Sequence, residues 1–182
     1  MSKSKTILVT GGAGYIGGQT VLALLDTKYT VIVLDDLSTG NLADFHNQTK
    51  FYQGRIQDED LLTRIFSENR VDAVMHFAAS IEVDKSIKDP FGYYDNNLAA
   101  TNSLLKVCCK VGVQSFILSS TAAVYGDIAD VACEDLICNP INPYGWSKLF
   151  AEYLLKDAVN VTNMNYGVLR YFNVAGADKD LR

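Results

Sequence analysis

The chain has 182 residues, and 16 Lys+Arg against 21 Asp+Glu leave a formal net charge of −5. At 48% apolar residues it can bury a proper core, which excludes a disordered chain. The acidic balance argues against a general nucleic-acid binder, no apolar run approaches the ~20 residues that cross a bilayer, and 3 prolines with 13 glycines leave no low-complexity segment.

Met1-Ser2-Lys3-Ser4-Lys5 is basic, but the apolar stretch behind it is short and breaks at Gly11-Gly12. It lacks the longer apolar core and cleavage site of a signal peptide. A soluble, cytoplasmic protein that binds neither membrane nor nucleic acid is expected. Cys108 and Cys109 are adjacent and Cys133 and Cys138 lie five apart, spacings that suit no metal clamp. The cysteines read as buried free thiols.

Short β-rich runs alternate with longer amphipathic ones, the signature of a parallel sheet covered by helices. Residues 6–10 (TILVT) are a continuous apolar run, as a strand buried on both faces requires. Residues 15–26 carry Ile16, Val21, Leu22, Leu24 and Leu25 at helical spacing. A second strand is predicted over 30–35, a weaker third over 50–53, a helix through 61–66 ending near Asn69, and a fourth strand over 73–77. A long helix follows over 91–112, then a fifth strand over 116–119, an irregular stretch over 120–142, and a helix over 143–160 with Pro143 in its first turn. Residues 166–171 form the sixth strand. The predicted fold class is α/β: a doubly wound parallel sheet of the Rossmann type, flanked by helices, in the order 3-2-1-4-5-6.

Gly11, Gly14 and Gly17 in TGGAGYIG sit between the first strand and the first helix. Glycine there permits a tight turn, close approach of backbone to a pyrophosphate, and close helix–sheet packing. The phosphates then meet the free N–H groups of the helix starting near Tyr15 and Ile16. Asp35 ends the second strand, where a carboxylate accepts both hydroxyls of the adenosine ribose and repels a 2′-phosphate. NAD is favoured over NADP as the cofactor.

Tyr144-Gly145-Trp146-Ser147-Lys148 opens the helix after the fifth strand. Tyr144 and Lys148 are four apart, on one helical face. An ammonium beside a phenol favours the phenolate and lowers its pKa from ~10, giving a base near neutral pH. Ser119, Ser120 and Thr121 follow the fifth strand's carboxyl end, where ligands bind in open α/β sheets, so Thr121 is placed to hydrogen-bond a substrate hydroxyl. His76 reads as a core histidine on the fourth strand.

TGGAGYIG, the HFAA of His76 to Ala79, YYDNN from Tyr93, SSTAAVYG from Ser119, PYGWSK from Pro143 and RYFNVAGA from Arg170 resemble the extended short-chain dehydrogenases/reductases, and within them the UDP-hexose 4-epimerases. The resemblance covers nearly the whole chain, with the motifs in order. It implies a tightly held NAD that shuttles a hydride within one site. Tyr144 would take the proton of the sugar 4-hydroxyl as C4 gives up its hydride. Lys148 would hold the tyrosine ionised and bond the nicotinamide ribose, and Thr121 would contact the reacting oxygen. Phe77, Ala78 and Ala79 would line the cofactor with Asn96, Tyr171 would pack near the nicotinamide, and Asn173 would contact the UDP-hexose. The related dehydratases carry acidic side chains after the threonine; here Ala122 and Ala123 exchange no protons, which leaves epimerisation.

The resemblance further implies a homodimer through the helices containing residues 94–109 and 146–156, whose leucines 98, 104, 105, 149 and 154 suit an interface or the core equally. Two departures stand out. The family has Gly-Asp after the third strand, its aspartate holding the adenine amino group, where this chain has Gly54-Arg55, leaving Asp58 as a substitute or a weaker adenosine site. The family also continues into a smaller carboxyl-terminal substrate lobe, so residues 1–182 are expected to be its NAD-binding domain alone, with an apolar patch left open. A non-catalytic NAD-binding module, or an epimerase acting on UDP-N-acetylhexosamine or UDP-uronic acid, shares every motif.

Overall fold

Six parallel strands form one sheet in the computed structural model of the chain, which describes residues 4–41, 47–129 and 131–178. Residues 1–3 of the basic start lie outside the described residues. The order is β3-β2-β1-β4-β5-β6. The central strand β1 (Thr6–Thr10) pairs with β2 (Thr30–Asp35) and β4 (Ala73–His76). β3 (Lys50–Gln53) flanks β2, and β5 (Ser115–Thr121) and β6 (Asn165–Tyr171) extend the other side. The doubly wound order read from the sequence is the one observed.

Alternate strand residues point to opposite faces and build two cores. Leu8, Ile32, Leu34, Val74, Phe116 and Leu118 are buried against α2 (Glu59–Glu68), α5 (Ala100–Val111) and α6 (Pro143–Asn160). Ile7, Val9, Val31 and Val33 pack on Val21 and Leu22 of α1 (Tyr15–Asp26). The α1 face stays thinly covered over the last strands, where Ile117 is half-buried and Leu169 exposed. Helix starts follow their chemistry. Asp58 caps α2 by accepting from Leu61 N at 2.9 Å, and Asn142 caps α6 by accepting from Gly145 N at 2.8 Å ahead of Pro143.

Several expectations are corrected. β5 runs through Thr121, paired with Tyr171, so Ser119 to Thr121 end the strand instead of following it, and β4 stops at His76, one residue early. The predicted helix over 91–112 is interrupted: α4 (Pro90–Tyr93) and α5 are joined by a π-helical turn, Tyr94–Ala99, and Gly112 closes α5 in the left-handed conformation. A short helix α3 (Val83–Lys88) was hidden because its polar residues show no apolar stripe. Of the cysteines, Cys108 is buried and Cys133 exposed. Leu104, Leu105 and Leu149 belong to the core, with Leu98 and Leu154 packed against it, while Phe150 and Tyr153 are the exposed apolar residues of α6.

The β1–α1 turn is set by two glycines. Gly11 has φ +69°, and a Cβ there would lie 2.5 Å from Ala78 N, just past β4. A Cβ on Gly17 would collide with the Gly11 carbonyl oxygen. Gly17→Ala should therefore lower the unfolding free energy by about 1–3 kcal/mol in a urea melt, the cost of forcing atoms into a packed backbone contact. An unchanged midpoint would show that the turn has room.

Candidate active site

A cleft of about 1180 Å³ lies across the carboxyl ends of the strands, at the reversal of strand order between β1 and β4 where open α/β sheets bind ligands. Its wall contains Gly11, Gly14, Tyr15, Ile16, Gly17, Asp35, Phe77, Ala78, Ala79, Asn96, Ser119, Thr121, Tyr144, Lys148, Tyr171 and Asn173. The structure thus brings together all the candidate residues named from the sequence. His76 lies outside this wall.

One end of the cleft is made of backbone. Gly11 N donates to Leu34 O at 2.9 Å, closing the turn against β2. Gly14 caps α1 without a side chain, and no carboxylate occupies the helix's first turn, so its leading N–H groups face the cleft uncapped. Asp35 is buried at the end of β2, where its two carboxylate oxygens accept from Ala13 N at 2.9 Å and Leu37 N at 2.8 Å. It braces the glycine turn as well as facing the cleft, a role that the sequence pattern did not reveal. Arg55 also lines the cleft, its Nε 3.6 Å from Asp36 Oδ2. Asp58 is spent on capping α2 and does not reach the wall, so it is no substitute for an acidic residue at position 55.

The other end is made of side chains. Tyr144 and Lys148 lie on the first turns of α6 and face Thr121 at the end of β5. Thr121 Oγ1 accepts from Ala123 N at 3.1 Å and caps the 3₁₀ turn Ala122–Tyr125, which brings Ala122 and Ala123 into the wall. The Tyr93 ring meets the Tyr144 ring edge-on at 6.4 Å, and its hydroxyl is tied to Glu82 O at 2.6 Å. Lys148 is only 3% exposed.

Sequence reasoning missed Asn97. Its Oδ1 accepts from Ser80 N at 2.8 Å, and its Nδ2 donates to Ser80 O at 3.0 Å and Ser147 Oγ at 3.0 Å. One buried amide thereby joins the loop after β4 to the helix carrying Tyr144 and Lys148. Beside it, Asn96 Nδ2 donates to Ser80 Oγ at 2.9 Å. The available signal was a polar asparagine on the buried side of a helical run, which needs partners for its amide.

Burial dominates the electrostatics. It pulls the Lys148 ammonium down from 10.5 to about 8, against the attraction of the Glu152 carboxylate. It also raises the Tyr144 phenol, with the Thr121 hydroxyl working the other way. The expected lowering of Tyr144 by its lysine is therefore not seen: desolvation of the phenolate outweighs the stabilising contact. His76 is a core histidine, as expected. Its ring nitrogens lie 2.6 Å from Thr10 Oγ1 and 2.9 Å from Thr101 Oγ1, and burial, aided by Lys148, lowers it to about 3.

Residues 7–182 match the NAD dependent epimerase/dehydratase family. The chain belongs to this family. It is 46% identical over 176 residues to a UDP-glucose 4-epimerase of Azospirillum brasilense, covering 96% of this chain and 51% of that protein. The corresponding enzyme of Lactobacillus helveticus is 44% identical over 175 residues, with 96% and 53% covered. Among solved structures, UDP-glucose 4-epimerase from Brucella ovis in complex with NAD superposes with a TM-score of 0.92 at 41% identity, over 97% of this chain and 55% of that one. The UDP-glucose 4-epimerase from Bifidobacterium longum in complex with NAD+ and UDP gives 0.91 at 40% identity, with 97% and 56% covered. The chain spans about half the length of the curated relatives it matches. Within the described residues, no helix is long and apolar enough to cross a membrane.

A lysine whose proton is held less tightly in the folded chain than in the unfolded one costs stability wherever it is charged in both states. For Lys148 that penalty is complete below about pH 8 and fades as pH rises towards 10.5. Lys148→Met should raise the unfolding free energy by roughly 1–3 kcal/mol at neutral pH. Urea melts at several pH values should show this gain shrinking above about pH 8. A gain independent of pH would refute the electrostatic origin.

Proposed function

We propose that this chain is the NAD-holding part of a UDP-glucose 4-epimerase, which interconverts UDP-glucose and UDP-galactose by transient oxidation at sugar C4. It would serve galactose metabolism in the cytoplasm. The observation that carries this reading is the convergence of Tyr144, Lys148 and Thr121 with the glycine turn in one cleft. The residues fit NAD: the turn has no room for side chains, the α1 N-terminus is uncapped, and a carboxylate ends β2.

NAD, when bound, supplies a reversible hydride acceptor for sugar C4. Gly11, Gly14, Tyr15, Ile16 and Gly17 would hold its pyrophosphate and Asp35 its adenosine ribose, with Phe77, Ala78, Ala79, Asn96, Ser119 and Tyr171 closing around the remainder. Tyr144 takes the proton from the 4-hydroxyl and returns it once the keto sugar has turned its other face. Thr121 hydrogen-bonds the same oxygen and holds it against the phenol. Lys148, four residues along α6, would favour the phenolate as it forms. Asn173 contacts the UDP-hexose. Ala122 and Ala123 offer no second acid or base, which suits epimerisation and not loss of water.

The same reading makes the protein a homodimer through the helical faces over 94–109 and 146–156. Phe150 and Tyr153, 39% and 55% exposed on α6, suit such an interface, with Tyr94 stacked 6.3 Å from Phe150. A second reading, an NAD-binding module without turnover, shares the same glycine turn and the same cleft wall.

Purified chain, denatured and analysed by mass spectrometry, should release NAD in near-stoichiometric amount. Turnover of UDP-galactose, lost by 10²-fold or more in Tyr144→Phe, would separate the epimerase from the module. Folded protein that neither carries nor takes up NAD would sink both readings. Arg55→Asp should tighten NAD binding about tenfold by calorimetry, because a carboxylate there can accept from the adenine amino group. Unchanged affinity would show that Arg55 does not weaken the adenosine end.

A further inference from the structure

One ion pair among the described residues is shielded from solvent. Arg170 Nη2 lies 2.6 Å from Glu152 Oε2, with the side chains 21% and 8% exposed. Every other described pair leaves a side chain at least 48% exposed. Burying two charges is costly unless the geometry is close to ideal and the remaining polar atoms are bonded. Both conditions hold here. Arg170 Nε donates to the two carboxylate oxygens at 3.1 and 3.2 Å, and Ser120 Oγ donates to Oε1. Arg170 Nη1 donates to the Tyr125 hydroxyl at 3.1 Å, and the guanidinium sits 5.0 Å from the centre of that ring.

The pair joins the elements that carry the chemistry. Ser120 and Arg170 are register partners across β5 and β6, and the next rung is Thr121 opposite Tyr171, both in the cleft wall. Tyr144, Lys148 and Glu152 follow one another at four-residue steps along α6. One carboxylate on the helix of Tyr144 and Lys148 therefore grips the rung directly beneath Thr121 and Tyr171. Among the described strands β6 pairs with β5, and this tie adds a direct polar link from β6 to α6.

The geometry points to Glu152 and Arg170 as the positioning pair of this site: together they hold Thr121 and Tyr171 against Tyr144 and Lys148. The inference rests on the function proposed above for the identity of the ligand. Glu152 acts on Lys148 from the next turn of α6, Tyr144 precedes it by one turn, and the buried His76 of β4 feels its charge. Burial draws the ammonium down and Glu152 draws it back, so removing the carboxylate should lower Lys148 further.

The test uses Glu152→Gln/Arg170→Met, which deletes both charges while nearly conserving volume, a change that buried ion pairs often tolerate without loss of stability. Two quantities are read on the 182-residue chain. One is NAD affinity by calorimetry; the other is the Lys148 titration by NMR of ¹³C-lysine protein, assigned with Lys148→Met. The expected result is a folded variant that binds NAD about tenfold more weakly and releases the Lys148 proton about one pH unit lower. A folded variant with both quantities unchanged would overturn the proposal and leave the pair as a plain structural tie. Should the double variant fail to fold, Glu152→Gln alone carries the same two readouts. A parent chain that binds no NAD defeats the functional reading, while the Lys148 titration still decides this one.

Discussion

The contact on which the rest depends is the approach of the β1–α1 turn to the backbone just past β4. Gly11 lies so close to Phe77 and Ala78 that no side chain fits between, and Gly17 presses on Gly11 from the helix. This double contact closes the sheet at the point where its strand order reverses. It also leaves the first N–H groups of α1 pointing into the cleft without a capping side chain. Had Gly11 or Gly17 carried a Cβ, helix and strand would have to separate, and the anion-binding end of the helix would leave the cleft. Packing and ligand affinity here have the same atomic cause.

The opposite end is built under a different constraint. Lys148 and Tyr144 are useful only in a place dry enough to make their charges interact strongly, yet dryness opposes charging either of them. Desolvation dominates: the ammonium is drawn down to about 8 and the phenol raised. The stability given up at Lys148 is the direct consequence of burying that ammonium.

These two ends differ in how plainly the sequence announces them. Backbone constraints leave glycines at fixed offsets, and Gly11, Gly14 and Gly17 could be read without a structure. Strand order followed from alternation of short apolar runs with amphipathic ones, because each parallel strand needs its own crossover helix. Helical spacing placed Tyr144 and Lys148 on one face. Legibility ended where a side chain's partner lies far along the chain. Asn97 reaches Ser147 across 50 positions, Ser120 reaches Glu152 across 32, and neither spacing has a period. The π-helical turn escaped for a related reason: one extra residue in a helical turn is set by what the asparagines must touch, not by propensity.

The long-range polar contacts also decide how precisely the helix of Tyr144 and Lys148 sits. Apolar packing holds α6 to the sheet through Leu149, Ala151 and Leu155, but apolar contact is non-directional and tolerates small slides. Asn97 fixes the amino-terminal end of that helix through Ser147, and Glu152 fixes the next turns through Ser120 and Arg170. Each of these bonds is directional and buried, so a displacement that broke one would leave a polar atom unpaired at a cost of about 1–3 kcal/mol. Two such restraints on either side of Lys148 confine it far more tightly than the hydrophobic contacts beneath it. The cleft is thus built by two separate means: two glycines bring backbone against backbone at one end, and a few buried polar residues set the angle and depth of α6 at the other.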